Sequence, residues 1–135
     1  MAMDVAFKTK VSELNPRARE WFATAIVGMV LADGNIDRSE MDFLLKVIQL
    51  VPDPDVVDRL KKFVQFKTVP PIGSPPGIDR KMGMSMIIDL IRVAVSDKDF
   101  DKKEKEMVAA VGKSLGFKPD EVDKLVLYGF ELMTQ

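Results

Sequence analysis

The sequence predicts an all-α protein: a compact six- to seven-helix bundle assembled from two three-helix halves about an approximate twofold axis. Three observations lead there. Asp33-Gly34-Asn35-Ile36-Asp37-Arg38-Ser39-Glu40 recurs sixty-four positions later as Asp97-Lys98-Asp99-Phe100-Asp101-Lys102-Lys103-Glu104, and Pro54-Asp55-Val56-Val57-Asp58-Arg59-Leu60 returns at sixty-five as Pro119-Asp120-Glu121-Val122-Asp123-Lys124-Leu125. Apolar residues recur at helical spacing, and no segment sustains the two-residue alternation of a strand. Helix start and stop residues bracket each apolar run. Two similar halves bury their apolar faces against each other, so residues 1–135 are read as one domain, with half-repeats 16–66 and 79–133 and a Pro-rich linker at 67–78.

Asn15-Pro16 opens the first helix, because Asn accepts from an orphan amide and Pro at the first position loses no needed donor. Trp21, Phe22, Ala25, Ile26, Met29 and Val30 cover more than one stripe, which suits a helix surrounded by others, and Gly34 ends it near Ala32. Asp37 and Glu40 form a capping box for the second helix, whose Met41, Leu44, Leu45, Ile48 and Val51 keep helical spacing until Pro52. Asp53-Pro54 starts the third, with Val56, Val57, Leu60, Phe63 and Val64 on one side. Pro70, Pro71, Pro75 and Pro76, with Gly73 and Gly77, then forbid a helix and read as a surface linker. The plan repeats: helix four over Asp79 to Val95, helix five from an Asp101/Glu104 box to Gly116, and helix six from Pro119 to about Met133. Asp89 and Arg92, within the apolar run of helix four, are expected on its solvent side, a buried pair being the other reading.

Composition narrows the function. Twenty basic and 21 acidic residues interspersed to a net charge of −1 present no basic face for phosphate contacts, so nucleic acid is set aside. With no cysteine and no histidine, disulfides, thiolate and imidazole metal sites, Cys or His nucleophile arrangements and the usual general base near pH 7 are excluded. Any metal must be held by oxygen. The first ten residues lack the pattern of a secretory signal, and the most apolar stretch, Trp21 to Ala32, falls short of the roughly 20 residues a spanning helix needs. A cytoplasmic protein without a transmembrane segment is expected.

The acidic ladders are the main candidates for chemistry. Asp33, Asn35 and Asp37, then Asp97, Asp99 and Asp101, place oxygens at alternate positions of a short loop, with Glu40 and Glu104 on the following turn; Asp33, Asp37 and Glu40 and their counterparts Asp97, Asp101 and Glu104 are expected on exposed inter-helix turns. Closely spaced carboxylates overcome their repulsion by sharing a divalent ion, and these positions match the start of a calcium EF-hand loop. The match then fails, since the sixth position is Arg38 or Lys102 rather than Gly and the twelfth is Leu44 or Val108 rather than Glu. A smaller Ca2+ or other divalent site, completed by carbonyls and water, remains one reading. Helix capping is the other: Asp37 and Asp101 as caps, Glu40 and Glu104 reaching back to cap amides, and Ile36 and Phe100 as hydrophobic staples. Capping leaves Asp33 and Asp97 unexplained, at helix ends where negative charge is disfavoured.

A helix ending Ala32-Asp33-Gly34 and continuing Asn35-Ile36-Asp37 with Glu40 resembles the TerB-like family, named for bacterial tellurite-resistance proteins. Ser96-Asp97-Lys98-Asp99-Phe100-Asp101 with Glu104 is a weaker copy, departing at Lys98 where the first has Gly34. The resemblance runs from about Phe22 to Met133. It implies a compact helical domain with acidic residues grouped near the duplicated loops, and a role in stress or metal-ion response through protein contacts at the cytoplasmic face of a membrane complex. The same domain type occurs beside co-chaperone modules, so fold alone does not settle function.

Tellurite reduction would need thiols or a redox cofactor, and the chain has neither Cys nor a dinucleotide fingerprint. The expectation is therefore a non-enzymatic interaction or scaffold module with a protein partner, modulated by a divalent cation at the duplicated loops. A purely structural or co-chaperone-associated domain without metal is the alternative, and a carboxylate-only metal hydrolase a third class, short of a base or oxyanion donor. Met82, Met84 and Met86 divide between core filling and exposure near the start of helix four.

Overall fold

The structure is a computed structural model that describes residues 7–32, 36–95 and 102–134, with side chains to 131. A 3-10 turn at Val11–Glu13 leads into six helices: α1 (Pro16–Ala32), α2 (Arg38–Ile48), α3 (Pro54–Gln65), α4 (Arg80–Ala94), α5 (Lys102–Ser114) and α6 (Pro119–Thr134). Among the described residues there is no strand. The protein is an all-α six-helix bundle.

The helix starts follow their local chemistry. Asn15 Oδ1 accepts from the Ala18 amide at 2.9 Å, Asp53 from the Asp55 amide at 2.9 Å, and Asp79 from the Met82 amide at 2.8 Å. Each satisfies a first-turn donor that has no partner inside its helix. On the first turn of α6, Glu121 reaches back to accept from the amide of Lys118, just before the helix, at 3.0 Å while pairing with Arg80 at the start of α4. At the end of α5, Gly116 takes a φ of +89°, and the Phe117 amide turns back to the Gly112 carbonyl at 2.9 Å. Left-handed backbone at that position closes the helix and favours glycine.

α1 and α4 are the central helices. α1 packs on α2, α3, α4 and α5, and α4 on α1, α5 and α6; α2 meets α3, and α5 meets α6. Phe22, Ile26 and Met29 of α1, Leu44 and Ile48 of α2, Leu60 of α3, and Met86, Ile87, Leu90 and Ile91 of α4 are fully buried. Each such side chain contributes about 1.5–3 kcal/mol relative to exposure. Glycine allows the closest approach, since a Cβ at Gly112 would lie 2.5 Å from Val122 Cγ2, and one at Gly129 would overlap Ile91 Cγ2. Among the methionines after the linker, Met84 is exposed and Met86 fully buried.

Two segments depart from the expectation. The linker is more than a surface connection: Pro70 is buried, the Gly73 carbonyl accepts from Trp21 Nε1 at 2.7 Å, and Ile72 packs over Gly28. Asp89 does not face solvent but is fully buried. Its Oδ1 accepts from the Lys8 amide at 2.7 Å and its Oδ2 from the Thr9 amide at 2.8 Å. The physical reason lies in a part of the chain that helical spacing does not register. Residues 7–9 cross the bundle without a helix or sheet of their own, and the part-buried Lys8 amide and the buried Thr9 amide need an acceptor. Phe7 anchors the crossing edge-on to Phe22, ring centres 5.5 Å apart, with Phe43 at 6.1 Å.

Candidate functional site

The first acidic ladder is described from Ile36 onward. Asp37 caps α2: its Oδ1 accepts from the Glu40 amide at 2.8 Å and from the Ser39 hydroxyl at 3.0 Å. Glu40 Oε1 accepts in return from the Asp37 amide at 3.3 Å, which completes the expected box. The Glu40 amide, with Ser39, holds the Asp37 carboxyl below the usual carboxylate range. Ile36, just before the cap, and Met41, on the next turn, are both partly buried against the core, where the staple reading puts them.

The second ladder is different where it can be compared. Glu104 was expected on an exposed turn and is instead buried, 4% exposed, on the first turn of α5. The reason is its phase: Glu104, Val108 and Val111 stand four and then three residues apart, and that stripe of α5 faces the interior. The matching Glu40 stays half-buried. The two copies of the motif therefore use their last glutamate differently. Asp33, Asn35, Asp97, Asp99 and Asp101 lie outside the described residues, as do Phe100 and the Asp101 half of the second box.

Among the described residues, no three Asp, Glu, His or Cys side chains gather as a metal-holding group. Of the ladders, the described members Asp37, Glu40 and Glu104 supply hard oxygen donors suited to a divalent cation. Asp37 and Glu40 already spend part of that capacity on amides, so an ion there would add ligands from outside the pair.

A feature not legible in the repeat lies beside Glu104. Lys105, Val108 and Ala109 of α5 and Val122, Asp123, Val126, Leu127 and Phe130 of α6 line a groove of about 490 Å³. Leu127 is 65% exposed at its edge, and Tyr128 and Phe130 are also exposed. The signal available in sequence was Val126-Leu127-Tyr128 with Phe130, more apolar surface than one buried stripe of α6 requires. No described helix is long and apolar enough to cross a membrane.

Comparison of the chain with family models, with curated proteins and with solved structures gave no match.

Proposed function

We propose that the protein is a non-enzymatic interaction module of the TerB-like kind, serving a bacterial tellurite-resistance or metal-ion stress response in the cytoplasm. The observation that carries the interaction reading is the α5–α6 groove with Leu127 and Phe130 at its edge. An apolar groove between two helices takes the apolar face of a partner helix, and exposed large apolar side chains grouped together mark such surfaces. In this proposal the second ladder regulates the groove. Asp97, Asp99 and Asp101 precede α5, Glu104 sits on its first turn, and the next residue, Lys105, lines the groove. A cation bound there orders the start of the helix that forms one wall.

The duplicated motif also supports an approximate twofold axis between residues 16–66 and 79–133. Within each half the three helices touch one another, α1 with α2 and α3, α4 with α5 and α6. Superposition of the two halves in a crystal structure tests this, and unrelated helix orientations would refute it.

The ion is tested by calorimetric titration of calcium, magnesium and manganese into the parent and into Asp33→Ala and Asp97→Ala. Heat in the parent that disappears in one variant supports a ladder site. An ion that binds also raises the melting temperature by mass action, and a rise that persists in an Asp33→Asn, Asp97→Asn double variant places the site elsewhere. Silence in all proteins leaves a partner-binding domain without metal.

A further inference from the structure

The C-terminal end of α3 carries two side chains that stability alone would not place there. Phe66 is 71% exposed, the highest value of any described large apolar residue. Lys67 beside it holds a φ of +52°, a left-handed conformation that favours glycine. The contrast with α5 is internal to the protein. Both helices close with the same pair of turning bonds: Thr68 amide to Phe63 carbonyl at 2.9 Å and Lys67 amide to Val64 carbonyl at 3.2 Å, against Phe117 to Gly112 at 2.9 Å and Gly116 to Lys113 at 3.0 Å. At α5 the left-handed residue is glycine. At α3 it is a lysine next to an exposed aromatic, and an unfavourable backbone state retained at one position invites a functional explanation.

The surroundings define that function. Val56, Leu60 and Val64 bury one face of α3, while Arg59, Lys62, Phe63 and Phe66, with Thr68, line an apolar groove of about 380 Å³ along its flank, Phe63 reaching it from the edge of the core. From Arg59 to Ile78 the sequence holds Arg59, Lys61, Lys62 and Lys67 and no acidic residue, in a chain of net charge −1. Arg59 also borders an adjoining polar groove with Arg17, Glu20 and Thr24 of α1 and the linker residues Pro71 and Ser74. Glu20 is the one acid lining either groove.

We infer that this face of α3 docks an acidic segment of a protein partner, an apolar side chain entering beside Phe63 and Phe66 while carboxylates meet Arg59, Lys62 and Lys67. Charge complementarity selects the partner, and the apolar floor beside Phe63 and Phe66 suits an apolar side chain. The site is separate from the α5–α6 groove and uses no ion, so it goes beyond the function proposed above.

The test uses fluorescence anisotropy with a labelled peptide of about 12 residues alternating Asp or Glu with Leu and Phe, and a control in which Asn and Gln replace the acids. The full chain is expected to bind the acidic peptide, more weakly as salt rises, and to ignore the control. Phe66→Ser and Lys62→Glu are each expected to weaken binding about tenfold or more, and Leu127→Ser to leave it unchanged. Lys67→Gly is expected to raise the melting temperature while weakening the peptide, a combination that loss of folding cannot produce. Absence of binding, equal binding of the control, or binding indifferent to Phe66→Ser overturns the inference. So does Phe66-dependent recruitment to phosphatidylcholine vesicles containing phosphatidylserine without peptide binding, which assigns the face to a membrane surface.

Discussion

Asp89 accepts the Thr9 amide at 2.8 Å across eighty residues of chain, and with the Lys8 amide on its other oxygen it fixes the segment that leads into the bundle. One carboxylate thus satisfies two amides and, through the chain direction they impose, seats Phe7 on Phe22.

Replacing that residue should release the crossing. Asp89→Ala removes both acceptors and leaves the buried Thr9 amide without its partner, a loss of about 1–3 kcal/mol. Chemical denaturation measures the cost. Hydrogen exchange at the Lys8 and Thr9 amides should accelerate more than exchange within α2.

Two carboxylates should give stability opposite pH dependences in the acid range. Burial raises the Asp89 pKa above 3.8, opposed by Thr9, the Lys8 amide and the charge of Arg92. The folded state therefore keeps that proton to higher pH than the unfolded chain, and its contribution is full below the unfolded pKa and lost as pH rises through the folded one. Asp37 is the reverse: the Glu40 amide lowers its pKa below 3.8, so its contribution is present above the unfolded value and lost as pH falls through the folded one. Denaturation across acid pH should show the parent losing ground to Asp89→Asn as pH rises and gaining ground on Asp37→Asn. The same slope against both variants would contradict the assignment.

Glycine substitutions should separate two kinds of helix position. At Gly83 a Cβ would meet its nearest neighbour, Leu115 Cδ2, at 3.5 Å, an ordinary contact, so Gly83→Ala should stabilise by about 0.5–1 kcal/mol through helix propensity. At Gly129 the Cβ would overlap Ile91, and the forced shift of α6 against α4 should cost about 1–3 kcal/mol. Thermal melts of the two variants on either side of the parent are the expected result.

Trp21→Phe should loosen the linker. It removes the indole donor to the Gly73 carbonyl, worth about 1 kcal/mol, together with some buried ring surface. Proteolysis within residues 68–77 should quicken, whereas cleavage elsewhere should not.

The sequence by itself determined the helices, because their signals are local. Asn15, Asp37 and Asp53 cap by bonding amides two or three residues ahead, and Pro54 and Pro119 begin α3 and α6 at the positions expected of them. The repeat also pointed to the acidic ladders, of which the Asp37–Glu40 box is formed as its spacing requires. Tertiary structure decided what spacing along one helix cannot express. Asp89 is buried because a segment eighty residues away brings amides to it, and Glu104 departs from Glu40 because α5 turns that face inward. The α5–α6 groove and the exposed end of α3 exist because packing left part of the apolar surface of these helices uncovered. Burial is a property of the whole assembly, whereas capping belongs to a few consecutive residues.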